Sequence, residues 1–190
     1  MSIKKIIKQG SNSFLQIDGS KFYCYGYKIT SQQDVEQIIK GLWKENKKAV
    51  HICYGYVLEK NNQIFEKFDD DNEPKNSAGK RILTSITNNN FINTLVVVVR
   101  YKTKSLLGLG LLSRCYFNVA ELLLKDNNNF LEYKNTTIVE VQIKNPKNLS
   151  SLLNFIKANK LEIISQSNDF IVLNVDDDVK KILENTFIKK

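Results

Sequence analysis

"TLVVVVRY", residues 94–101, is the stretch on which the fold turns. Its four consecutive valines leave no polar position to alternate with, so the run predicts a strand buried on both faces, or nearly so, at the centre of a sheet. The flanking sequence breaks into pieces that suit such a sheet. "FYCYGYKI" (22–29) is aromatic and β-compatible and predicts a strand. "AVHICYGYVLE" (49–59) predicts another, returning through a turn at Asn61-Asn62 into "QIFEKF" (63–68) as a hairpin. Between them, from Ser31, "SQQDVEQIIKGLWKEN" spaces Val35, Ile38, Ile39, Leu42 and Trp43 at helical intervals behind a capping serine with acids in its first turn.

Two more helices follow. "AGKRILTSI" puts Ile82, Leu83 and Ile86 on one face and stops at Asn88–Asn90. "GLGLLSRCYFNVAELLLKDNNN" (108–129) predicts a helix with Leu112, Cys115, Val119, Leu122 and Leu123 on its apolar side. Residues 134–190 restart the pattern as strand 137–143, helix 149–159, strand 161–166, strand 170–175 and helix 177–187. That order is a ferredoxin-like β-α-β-β-α unit short of its last strand. The chain therefore reads as an α+β protein of two domains, 1–133 and 134–190.

Composition narrows the function. With 42% hydrophobic and 25% charged residues, 190 residues suffice for a globular core. No window of about 18 apolar residues occurs, and none follows the cations of "MSIKKIIKQG", so neither a membrane span nor a signal peptide is expected and the cytoplasm is the default location. Three cysteines, Cys24, Cys53 and Cys115, form no Cys-x-x-Cys pair and suit reduced thiols; one histidine rules out the usual zinc signatures. Charge is uneven: residues 1–134 hold 20 Lys/Arg against 13 Asp/Glu, the remainder 8 against 7. A basic first domain attracts polyanions, although lysine- and asparagine-rich usage also follows from an AT-rich genome.

"FDDDNEPKNSAGKRIL" (68–83) has the strongest chemical flavour. Its acids, Asp69, Asp70, Asp71 and Glu73, lack the spacing of a calcium loop and suit a turn closed by their own backbone, with Pro74 stiffening it and the acids favouring the start of the next helix. "SAGKR" lacks the upstream glycine and the hydroxyl of a nucleotide-hydrolysing loop. What it offers is a helix start with Ser77, free backbone donors and nearby Lys80 and Arg81: a generic anion site, or a solvated basic turn. "GLGLLS" (108–113) misses the dinucleotide fingerprint, because six residues separate it from the strand end; its glycines suit close packing of a helix start. His51 and Cys53 share one strand face and read as buried structural residues, with no third group to activate the thiol. The aromatic set Phe22, Tyr23, Tyr25, Tyr27, Tyr54 and Tyr56 could stack bases, but alternation sends half of it inward.

Taken together, these segments resemble the YigZ/IMPACT family over most of residues 20–125. The resemblance rests on His51, Cys53, Tyr54 and Tyr56; on Asp70, Asp71, Glu73, Pro74, Ala78, Gly79 and Lys80; on Arg100 and Tyr101; and on Gly108, Gly110, Leu112, Arg114 and Tyr116. It implies a first domain similar to elongation factor G domain four, a ferredoxin-like second domain similar to its domain five, a link to translation control through RNA, ribosomal or regulatory-protein partners, and no established catalysis or cofactor. The chain departs from the family pattern at Asn72 and Lys75-Asn76, at Lys102-Thr103-Lys104 in place of Phe-Gly-Gly, at Leu106 in place of lysine, and at Leu111 in place of a glycine. The leading expectation is a non-enzymatic module that binds RNA or the ribosome through Lys80, Arg81, Arg100, Lys102, Lys104 and Arg114. The alternatives are a protein-only module displaying the acidic turn, and an enzyme acting on a phosphorylated or peptide substrate. No metal site is expected, and the sequence leaves oligomeric state open.

Overall fold

The computed structural model describes residues 4–60, 63–102, 106–133 and 136–188. The chain divides into two compact units, Met1–Tyr133 and Lys134–Lys190.

The first unit is a three-layer sandwich built on an antiparallel five-stranded sheet. Its elements are β1 (Lys5–Ile7), β2 (Ser11–Ile17), β3 (Ser20–Lys28), α1 (Gln32–Glu45), β4 (His51–Lys60), β5 (Gln63–Asp69), α2 (Gly79–Asn88), β6 (Thr94–Tyr101), α3 (Leu109–Lys125) and β7 (Phe130–Glu132). The sheet runs β2-β3-β6-β4-β5, with the valine strand in the middle, and β1 pairs with β7 in a separate two-stranded ribbon. Leu95, Val97 and Val99 face α1 together with Ile52, Val35 and Leu42. Val96 and Val98 face the other way, against Cys24, Cys53, Ile82, Val119 and Leu123 under α2 and α3. Each buried valine contributes on the order of 1.5–3 kcal/mol, so the strand anchors both cores at once.

Local chemistry sets the element ends. The Ser31 hydroxyl accepts from the Asp34 amide while the Asp34 carboxylate accepts from the amide of Ser31, a reciprocal cap on α1. Gly55 lets α2 lie directly on β4: a Cβ there would sit 2.7 Å from the Leu83 amide nitrogen. Asp18 and Gly19, both at positive φ, turn β2 into β3 in the manner of an Asp-Gly hairpin. Strands β1, β2 and β7 were not expected from the sequence. On α3, Leu122 is exposed rather than inward, because the stripe runs through Leu112, Cys115/Tyr116, Val119/Ala120 and Leu123/Leu124, and Leu122 falls beside it. The expected turn at Asn61-Asn62 lies outside the described residues.

The second unit comprises β8 (Thr136–Gln142), α4 (Pro146–Ala158), β9 (Glu162–Gln166), β10 (Phe170–Asp176) and α5 (Asp177–Leu183), which runs on into a wider turn over Glu184–Ile188. The antiparallel order β8-β10-β9 is that of a split β-α-β unit with no fourth strand among the described residues. Helix α4 begins earlier than its apolar pattern suggested, because Asn145 caps it and Pro146 occupies its first turn. Val139, Val141, Leu152, Ile156, Ile171, Leu173 and Leu183 form a separate core. Among the described residues, no helix is long and apolar enough to cross a membrane.

Candidate functional site

The acidic turn is built by its own carboxylates. Asp70 takes three backbone amides, from Asn76 at 2.7 Å, Ala78 at 3.0 Å and Gly79 at 2.8 Å, and so closes the start of α2. Asp71 accepts from the Ile52 amide at 2.7 Å, tying the turn to β4. Asp71, Asn72 and Asn76 all adopt positive φ, a conformation short polar side chains tolerate. Gly79 is required by space: a Cβ there would lie 2.3 Å from the Asp69 carbonyl oxygen. The inner carboxylates are thus spent on the backbone rather than gathered around a cation.

Beneath the turn lies a buried polar network. Glu73 and Arg100 are 8% and 3% exposed, and the Arg100 guanidinium donates to Glu73 Oε1 at 2.5 Å. The Tyr116 hydroxyl donates to the same oxygen at 2.8 Å. Arg100 also lies over the Phe22 ring, 5.5 Å from its centroid, and reaches the Ser20 hydroxyl at 3.4 Å. His51 Nδ1 lies 2.8 Å from the Asp71 carbonyl oxygen, which can only accept, so Nδ1 carries the proton; its Nε2 faces Glu73 at 3.8 Å. The Cys53 thiol donates to the Asp70 carbonyl at 3.1 Å and sits 3.5 Å from the Tyr116 hydroxyl. Burial pushes the Cys53 thiol far up, with the nearby Glu73 and Asp71 charges acting in the same direction, and burial likewise raises Tyr116. Cys24 is pushed up to about 12, again by burial. Cys53 is therefore a protonated hydrogen-bond donor, not a thiolate nucleophile.

The sequence-predicted cations do not form one cluster. Arg100 points into the core and pairs with Glu73, so a role in contacting a surface ligand does not belong to it; as a residue of β6 it shares the inner face of Val96 and Val98. Arg81 and Arg114 line one groove together with Lys75 and Gly110. Lys102 lines another depression, with Lys21. Lys80 stands apart, its ammonium 5.5 Å from the Phe68 ring centroid. Lys104 lies outside the described residues. A second correction concerns Gly108 and Gly110: among the described residues a Cβ added at either meets nothing within 4 Å, so close packing there does not explain them.

The aromatic residues sort by strand parity. Phe22 is buried under α3, whereas Tyr23, Tyr25 and Tyr27 lie on the opposite face of the sheet. Helix α1 covers the β4 side of that face. Over β2 and β3 it stays open, and Phe14, 45% exposed, packs on Tyr23 with ring centroids 4.8 Å apart. Tyr101 meets Tyr23 edge-on at 5.7 Å and donates its hydroxyl to Asn46 at 2.6 Å. Lys21, Tyr23, Tyr25, Tyr101 and Lys102 surround a depression of about 420 Å³. Lys21 was missed in the sequence, although it shares the period-two face of Tyr23 and Tyr25.

A family model described as the Impact N-terminal domain matches residues 18–124. The chain belongs to that family. The Impact family member YvyE of Bacillus subtilis is 31% identical over 110 residues, 58% of this chain and 50% of its own. A family member from Haemophilus influenzae is 32% identical over 111 residues, covering 58% and 54%. The chain thus spans about half the length of the curated relatives it matches. A crystal structure of a hypothetical protein superposes over 98% of the chain and 94% of its own, with a TM-score of 0.66 at 21% identity, and shares the fold.

The Impact motifs, scattered along the sequence, meet in three dimensions. His51 and Cys53 on β4, Asp70, Asp71 and Glu73 in the turn, Arg100 on β6 and Tyr116 on α3 form the single buried network described above. Ala78 and Gly79 give α2 its close approach, Pro74 offers its carbonyl to the Ser77 amide, and Tyr101 belongs to the open face. In this Impact-family chain most motif residues hold the scaffold.

Proposed function

We propose that the first unit is a non-enzymatic, cytoplasmic module that binds single-stranded RNA, including exposed ribosomal RNA, in the service of translation control. The observation that carries this reading is the convergence of Tyr23, Tyr25 and Tyr101 with Lys21 and Lys102 around one depression of the sheet, beside Asn46 at the end of α1. Aromatic faces stack bases at about 1–3 kcal/mol per base, and flanking cations hold the phosphates between them. Burial raises the pKa of Tyr25, and it stays a neutral hydroxyl throughout the physiological range. The link to translation control rests on the family resemblance.

Two alternatives are weaker. The protein-only reading has the acidic turn as its epitope, but Asp70 and Asp71 are engaged by backbone amides. The enzyme reading loses Cys53 as its nucleophile, since that thiol is buried and protonated. Capture of partners from native lysate, with and without ribonuclease, tests the proposal. The RNA reading expects partners that ribonuclease removes and that Lys21→Glu or Lys102→Glu weakens on the order of tenfold, the scale of turning one attractive charge into a repulsive one near water. Partners that resist ribonuclease and ignore both substitutions would overturn it in favour of protein recognition.

A further inference from the structure

The groove between the first turns of α2 and α3 has a different chemistry from the tyrosine face and shares no residue with it. Of the two helix starts, that of α2 is closed by Asp70, but that of α3 is open. Gly108 holds its cap position, no side chain among the described residues caps it, and the first bond back is the Leu112 amide to the Gly108 carbonyl. The early amides of a 17-residue helix therefore face outward with the positive end of its dipole. Lys75, Arg81 and Arg114 line the same groove of about 620 Å³, and none has an ion-pair partner among the described residues.

A second observation points to a ligand independently. Ser77 lines this groove at 1% exposure, and its hydroxyl has no hydrogen-bond partner among the described residues. A buried hydroxyl is ordinarily paired. Gly110 adds a third: glycine is disfavoured inside a helix, yet nothing in the packing needs it, and the space its missing Cβ would fill lies at the groove beside the open amides.

We propose that this groove is a phosphate site. It takes a phosphate group, as free inorganic phosphate or as the monoester of a nucleotide, whose oxygens accept from the α3 amides at Leu109–Leu111, from the Ser77 hydroxyl, and from the guanidinium groups of Arg81 and Arg114. Lys75 adds diffuse attraction. The absent side chain at Gly110 lets the phosphate approach the backbone.

The test is a phosphorus NMR titration of the full chain at low ionic strength, with inorganic phosphate in one arm and a nucleoside monophosphate in the other. Saturable binding is expected, weakened at least tenfold by Arg81→Ala and by Arg114→Ala and several-fold by Ser77→Ala. Tyr23→Ala should leave it unchanged, which separates this site from the RNA face. Gly110→Ala is the decisive variant, since it should keep or raise the melting temperature while weakening phosphate binding at least fivefold. Tighter binding of the nucleotide would identify a nucleotide-borne phosphate, and equal binding a free one. Absence of saturable binding in both arms, indifference to the two arginine substitutions, or wild-type affinity in Gly110→Ala would overturn the proposal.

Discussion

Replacing Arg100 with methionine separates a scaffold role from a ligand-binding role. The guanidinium is 3% exposed, 2.5 Å from Glu73 and 5.5 Å from the Phe22 ring centroid. Its removal leaves the Glu73 carboxylate buried with the Tyr116 hydroxyl as its one remaining close donor among the described residues and His51 at 3.8 Å. Orphaning one member of a buried pair costs about 3–5 kcal/mol, and the surviving Tyr116 bond places this case near 3. The cation–π attraction to Phe22 adds about 0.5–1 kcal/mol, for a total of about 3.5–4. Urea unfolding followed by the fluorescence of Trp43, the only tryptophan and part of α1, reports the first unit. The double variant with Glu73→Gln should be less damaged than the two single costs added together, because neither partner is then left charged alone. A loss below about 1 kcal/mol in Arg100→Met, or strict additivity in the double variant, would refute the structural reading of this pair.

Other substitutions probe the turn and the helix ends. Asp70→Ala removes the acceptor for three amides and should cost about 2 kcal/mol in the same unfolding assay. Gly79→Ala should destabilise by about 2–3 kcal/mol, because the new methyl would meet the Asp69 carbonyl at 2.3 Å; the same change at Gly110, which meets nothing, should stabilise by up to about 1 kcal/mol. The Asp34 carboxylate is held below its ordinary pKa, first by the Thr30 amide and then by the hydroxyls of Ser31 and Thr30. Its contribution is therefore complete above about pH 4 and fades as the pH falls further, so Asp34→Asn should cost about 1 kcal/mol at neutral pH and progressively less in acid.

Much of the fold was legible because its signals are local. The valine run required a strand covered on both faces, Ser31 and Asp34 announced a helix start, and the β-α-β-β-α rhythm of residues 137–187 survived intact. Strand β2 was also written in the sequence, since Asp18-Gly19 is a strong hairpin signal, but the alternation of "SNSFLQI" is diluted by polar residues facing solvent. Arg100 was misread because its charge was weighed without its parity: alternation from Val96 and Val98 places it on the inner face. Its partner Glu73 lies 27 residues away, and no local pattern brings the two together. The phosphate groove was half legible. Ser77 and Arg81 stood out, but Asp70 closes the start of α2 beside them, and the open amides come from α3, whose approach depends on packing alone.

RNA binding at the tyrosine face, as proposed, combines stacking with phosphate contacts, and the salt dependence of binding measures both terms. Fluorescence anisotropy of a single-stranded RNA, titrated with the full chain from low to moderate salt, should give a straight line of log affinity against log salt. Two lysine contacts imply a slope of about −1.4. Tyr23→Ala should lower the line without changing its slope, whereas Lys102→Glu should flatten it. Absence of binding at the lowest salt, or a line that neither substitution moves, would contradict the account.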